Sequence, residues 1–236
     1  SANGLYGDVK VAAGIVGFAD LQLGDQVTDV LEAHIRAGNG RFKGIRNASS
    51  WDADPEIGGT RNSRKHLLRD PKFREGFAVL EKLGLSFDAW LFHTQLQELA
   101  DLARTFPNVR IILDHIGGPI GIGSYTDKQE DVFLRWKSGI TDLAECENVT
   151  IKLGGFGMPL DGFNWHNRPK PVNSKDIAAI MSRYYLHCIE MFGVNRCMFE
   201  SNFPVDRQSC SYTVLWNVFK RVVSDFSQSE KLKLFR

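Results

Sequence analysis

Short apolar runs alternate along the chain with stretches of helical period. Six runs, at residues 11–19, 42–46, 85–92, 109–114, 149–153 and 197–199, are apolar almost throughout and stop abruptly at polar or glycine residues. That is the pattern of parallel strands buried on both faces. The intervening stretches 26–37, 72–83, 96–105, 130–146, 174–192 and 212–225 read as helices. In 96–105, Leu96, Leu99, Ala100 and Ala103 fall on one helical face. Asp70-Pro71 and Asn173-Ser174 are helix-start signals, and Phe106-Pro107-Asn108 is a stop followed by a turn.

Strict strand–helix alternation predicts an α/β fold with a parallel sheet, closed either as an open doubly wound sheet or as a barrel. Loop lengths favour the barrel. The segments after strands are long (47–69, 116–129 and 154–173), whereas those after helices are as short as Gly40-Arg41 and Glu147-Asn148. Elaborated loops at the C-terminal ends of strands are where a (β/α) barrel carries its site.

Composition narrows the function without naming it. The 236 residues, 43% of them hydrophobic, suit one domain over 1–236. Lys and Arg total 29 against 28 Asp and Glu, so no charge excess marks a nucleic-acid or anionic-membrane partner, and no apolar run approaches a membrane span. The expected partner is a small-molecule substrate. Four cysteines without a CxxC pair fit neither a zinc site nor a disulfide framework, so a reducing, cytoplasmic setting is expected. The chain starts at Ser1 with no signal-like segment, so no secretory signal is expected, and the missing Met suggests a fragment or a processed product.

The candidate chemistry gathers at the predicted strand ends: Asp20, Arg46, His93, Asp114-His115, Lys152 and the run 200–206. His93 and His115 each lie just past a strand, where imidazole serves as metal ligand or general acid–base, or simply caps loop carbonyls. His34, His66 and His187 fall in helices or a basic loop and read as structural. Asp114 and His115 are adjacent, so their side chains diverge unless the strand bends there. Pairing with a neighbouring group is the expectation for Asp114. Arg46 offers a guanidinium fork for a substrate carboxylate, and Lys152, flanked by apolar residues, must find a partner or the mouth of the barrel. The glycine-rich segment 117–123 lacks GK[ST] and contains Pro119, so a nucleotide site is not expected. Ser201 lies outside a GxSxG elbow.

Four blocks together carry a resemblance: Gly44-Ile45-Arg46; Leu113-Asp114-His115-Ile116-Gly117-Gly118-Pro119; Ile151-Lys152-Leu153-Gly154-Gly155; and Met198-Phe199-Glu200-Ser201-Asn202-Phe203-Pro204-Val205-Asp206. In this order the chain resembles the amidohydrolase-2 family, TIM-barrel hydrolases related to sugar lactonases and 2-pyrone-4,6-dicarboxylate lactonase. The resemblance implies a (β/α)8-type barrel of which this chain carries about six βα units. The family's opening strand with His-x-His, its second strand and the tail beyond Leu234-Phe235-Arg236 are lacking. It implies hydrolysis of a lactone or related cyclic ester bearing a carboxylate, with metal-dependent decarboxylation or an inactive barrel fragment as alternatives. His93 and His115 match the histidines after the family's fifth and sixth strands, and Asn202 stands where many members have an Asp. Catalytic roles are therefore expected at His93, His115, Asn202 and Asp206, and substrate contacts at Arg46 and Lys152. Asp206, in the loop after Pro204, is a base acting through water, a partner of Arg207 or Lys152, or an N-cap ahead of the helix 212–225. No metal ligand set and no cofactor are expected in this chain; the resemblance allows a divalent metal such as zinc in complete relatives and implies metal-free action in the pyrone lactonase. Relatives often pair, so a homodimer is expected.

Overall fold

The computed structural model describes Gly7, residues 12–61 and residues 63–235. Six parallel strands form one sheet: β1 (Ile15–Gly17), β2 (Phe42–Ala48), β3 (Ser86–Trp90), β4 (Ile111–Leu113), β5 (Val149–Leu153) and β6 (Cys197–Phe199). Their order is β1-β2-β3-β4-β5-β6, every neighbour being parallel. A doubly wound sheet reverses its strand order at a switch point. A sequential order advances in one direction, and right-handed crossovers then place every helix on the same face, as in a (β/α) barrel.

The helices are α1 (Val27–Gly38), α2 (Pro71–Leu83), α3 (Leu96–Thr105), α4 (Gln129–Ala144), α5 (Ser174–Phe192), α6 (Tyr212–Val222) and α7 (Gln228–Leu234). The start signals act as expected. Asp70 accepts from the Phe73 N–H with Pro71 in the first turn, and Asn173 accepts from the N–H groups of Lys175 and Asp176.

Most of the expected elements appear with ends shifted by a few residues, β3 and β4 both being shorter than the runs 85–92 and 109–114, and two departures are larger. β1 is shorter than 11–19: Val11 lies outside the described residues, and Ala12 takes a positive φ of 52° that no strand accommodates. The tail after α6 adds α7, opened by a capping box in which Ser227 and Glu230 satisfy each other's backbone N–H groups. The expected end residue Arg236 also lies outside the described residues.

The core fills the space between sheet and helices. Trp136 and Tyr185 are fully buried, Phe77 packs edge-on to Phe87 at 5.0 Å, and Phe199 stacks on Phe219 at 4.4 Å. Each such ring contributes roughly 1.5–3 kcal/mol of burial. This packing fixes the six strand ends on one rim, where the long loops gather. Among the described residues, no helix is long and apolar enough to cross a membrane.

Candidate functional site

At that rim, ionisable side chains from four adjacent strands meet. Arg46 and Asp88 are register neighbours across β2 and β3. Arg46 Nε donates to Asp114 Oδ2 at 2.6 Å, and Lys152 Nζ, from β5, donates to Asp114 Oδ1 at 2.6 Å and to Asp88 Oδ2 at 2.7 Å. Burial opposes the ammonium charge of Lys152, but Asp114 and Asp88 outweigh it and hold its pKa above the ordinary lysine value. Lys152 is therefore occupied by two carboxylates and does not line the cleft, which corrects its expected substrate contact. It acts one layer deeper, fixing Asp114, which in turn fixes the Arg46 guanidinium.

His115 completes the rim. β4 ends at Leu113, and His115 and Ile116 both enter left-handed backbone, with φ of 53° and 49°. For β-branched Ile116 that conformation is costly, and the surroundings must hold it. The bend turns the Asp114 and His115 side chains to the same guanidinium: His115 Nε2 lies 3.2 Å from Arg46 Nη2. On the other edge of the ring, Nδ1 meets Glu200 Oε1, which also accepts the His115 backbone N–H at 3.1 Å. A carboxylate can only accept, so Nδ1 carries the hydrogen and Nε2 presents a lone pair toward the cleft. Trp90 packs edge-on against the ring at 4.9 Å. Gly155, at φ +76°, leaves room for the imidazole: a Cβ there would lie 2.5 Å from the Cβ of His115.

The segment after β6 supplies the last pair. Asn202, at φ 48°, donates from Nδ2 to Asp206 Oδ1 at 2.7 Å. Asp206 is 0% exposed, and its Oδ2 is buried without a hydrogen-bond partner among the described residues. Burial pushes its carboxyl up to about 6, against the lowering effect of the Asn202 hydrogen bond. The N-cap alternative fails, because Ser211 caps α6 by accepting the Val214 N–H, while Asp206 sits in a short 3-10 turn at Val205–Gln208. Nor does Asp206 face the mouth; it meets the cleft only through Asn202.

A cleft of about 590 Å³ opens above these groups, with Arg46, Arg61, Trp90, His115, Met158 and Asn202 in its wall. Of the six residues singled out in the sequence, Arg46, His115 and Asn202 line it. His93 does not. It faces a separate cavity, because β3 ends at Trp90 and the chain has already turned into the 3-10 turn His93–Gln95. Two carboxylates escaped the sequence reading as site residues. Glu200 was visible only as one member of an acidic and polar run, and Asp88 as a single charge inside an apolar strand. That buried charge was the available signal, since it demands a partner such as Lys152.

Among the described residues, no three His, Cys, Asp or Glu side chains converge as a metal-binding set. The one imidazole nitrogen at the cleft also faces a guanidinium at 3.2 Å, a cation that would repel a metal ion. The donors present do not fit a divalent metal.

Comparison with known proteins agrees with this architecture. The family model described as Amidohydrolase matches residues 8–236. The chain is 37% identical over 223 residues to the uncharacterized protein y4mH of Sinorhizobium fredii, covering 94% of this chain and 66% of that one. It is 24% identical over 232 residues to an L-fucono-1,5-lactonase of Burkholderia multivorans, covering 97% and 70%. An amidohydrolase structure from Burkholderia multivorans, solved with bound zinc, superposes with a TM-score of 0.74 at 23% identity, covering 94% of this chain and 70% of that one. The chain thus spans about two thirds of the length of these relatives. A sequential parallel sheet with its polar groups at the strand ends, and a family match over nearly every residue, lead to one conclusion: the chain belongs to the amidohydrolase family.

Proposed function

We propose that the cleft hydrolyses a lactone, or a related cyclic ester, of a small carboxylate-bearing molecule. The observation that carries this reading is the clamp on His115, in which Glu200 holds Nδ1–H and leaves Nε2 as an acceptor at the cleft beside Arg46. An imidazole so oriented is built to take a proton from water. As the water oxygen bonds to the lactone carbonyl carbon, His115 Nε2 receives its proton. The developing oxyanion lies against the Arg46 guanidinium, whose Nη1 has no hydrogen-bond partner among the described residues. When the ring C–O bond breaks, His115 returns the proton to the departing alkoxide, and the product is a hydroxy acid. A substrate carboxylate is held by Arg46 and Arg61, and it draws Arg46 Nη2 away from Nε2 as it binds. Asn202, held by Asp206, supplies an amide at the cleft wall.

Similarity to a lactonase supports the same reaction class. The proposal needs no resident metal in this chain. Metal-dependent decarboxylation is the weaker alternative, since the described residues of the cleft assemble no ligand set for it.

The test is proton release from the purified protein with a panel of sugar-acid 1,5- and 1,4-lactones and carboxylated pyrone lactones. Turnover should fall by about 10²-fold or more in His115→Gln. Turnover unaffected by that substitution, or carbon dioxide evolved in place of protons, refutes the reading.

A further inference from the structure

A second cavity, of about 280 Å³, lies between the turn after β3 and the first turns of α4. Its wall includes His93, Tyr125, Lys128, Asp131 and Arg135, and none of these lines the larger cleft. His93 is almost wholly buried. Its Nδ1 accepts the Ile120 N–H at 3.3 Å, which places the hydrogen of the neutral ring on Nε2. That Nε2–H is buried and has no partner among the described residues. Burial, reinforced by the nearby Arg135 charge, pushes the ring pKa down to about 4, so near neutral pH it stays an uncharged donor. A buried donor left unsatisfied costs roughly 1–3 kcal/mol, and native structures rarely leave one without a reason.

The charges around this donor are unevenly matched. Lys128 Nζ donates to the Ser124 carbonyl at 2.8 Å, which leaves two of its hydrogens free. Arg135 makes no ion pair or side-chain hydrogen bond among the described residues. Against them stands Asp131 in the wall. The second acid nearby, Asp52, is engaged by the Tyr125 hydroxyl at 2.9 Å. Asp54 pins the same loop by accepting the Ser124 N–H at 2.7 Å. The wall is therefore held in place before any ligand arrives, and donors outnumber acceptors around a space too small for a nucleotide.

We propose that this cavity is a second ligand site that takes a small oxyanion, a carboxylate or phosphate group, on His93, Lys128 and Arg135.

The experiment titrates the protein with inorganic phosphate and, separately, with acetate at constant ionic strength near neutral pH, following the histidine ring resonances by NMR. The His93 signals should shift saturably with at least one of the two anions, and which one binds tells phosphate from carboxylate. Exposed Arg135→Gln should weaken that binding about tenfold, the equivalent of one charge-assisted hydrogen bond. Asp131→Asn should strengthen it, and Arg46→Gln, in the larger cleft, should leave it unchanged. Absence of saturation with both anions overturns the site. So does binding that survives Arg135→Gln, or that disappears in Arg46→Gln.

Discussion

Replacing Asp206 by Asn tests the buried half of the site through folding stability, without requiring a substrate. The carboxyl is fully buried, touches Asn202 through Oδ1 and leaves Oδ2 without a partner. Burial raises its pKa from 3.8 to about 6. The folded state thus holds this proton more tightly than the unfolded chain does, and the sign follows. The stabilisation is fully present below the unfolded value of 3.8 and is lost as the pH rises through about 6. The full excursion is ~3 kcal/mol, which for a chain of this size corresponds to roughly 6–12 °C in Tm. Asn has nearly the same shape and no titration, so the variant lacks this component. Urea denaturation of both proteins in steps from about pH 4 to pH 8 should show the stability of the wild type falling relative to Asp206→Asn by a few kcal/mol, with the steepest change near pH 5–6. A difference that is flat across that range would refute the burial of an ionisable Asp206.

Three further outcomes follow from the same geometry. Arg46→Lys should raise KM for a carboxylate-bearing lactone by about tenfold or more, because a point charge cannot hold both Asp114 and the substrate in the guanidinium's fixed fork; steady-state kinetics decide it. Lys152→Met leaves Asp88 and Asp114 facing each other without their shared cation and should cost roughly 3–5 kcal/mol in denaturant unfolding, part of which Asp88→Leu should restore in the double variant. After dialysis the protein should retain far less than one equivalent of zinc by elemental analysis, and Asn202→Asp alone should not change this, since that carboxylate would sit against Asp206 and share a proton with it.

The fold was readable because its signals are local and redundant. Runs 149–153 and 197–199, and helices 96–105 and 174–192, coincide with the observed elements because apolar runs, caps and stops agree there. β1 was overextended because an apolar run does not reveal the positive φ at Ala12. The missed α7 carried a readable Ser-x-x-Glu box at Ser227 and Glu230. The site was only partly legible. Position at or just past a strand end brought out Arg46, His115 and Asn202, but the same rule drew in His93, since sequence does not show that the chain turns between Trp90 and His93. The Asp88–Lys152–Asp114–Arg46 chain joins four strands, and only the sheet register reveals which charge meets which.

The depth of each charge in that chain bears on why the cleft should prefer an anion. Summed over the rim, Arg46, Arg61 and Lys152 balance Asp88, Asp114 and Glu200, so net charge selects nothing. Placement does. The carboxylates of Asp114 and Asp88 are 1% and 8% exposed at the side chain, whereas Arg46 is 46% exposed. An incoming ligand therefore meets the guanidinium first, with its compensating carboxylates beneath it, and the near field in the cleft is positive even though the total is not. The buried carboxylates also hold the guanidinium in one orientation, which lowers the reorganisation needed when an oxyanion forms beside it. The same arrangement explains why Asp114 should matter more than its distance from the cleft suggests. Among the described residues it is the one carboxylate of that network that holds both cations, and its loss would leave Arg46 with only its 3.2 Å contact to His115 Nε2, the nitrogen the proposed reaction needs.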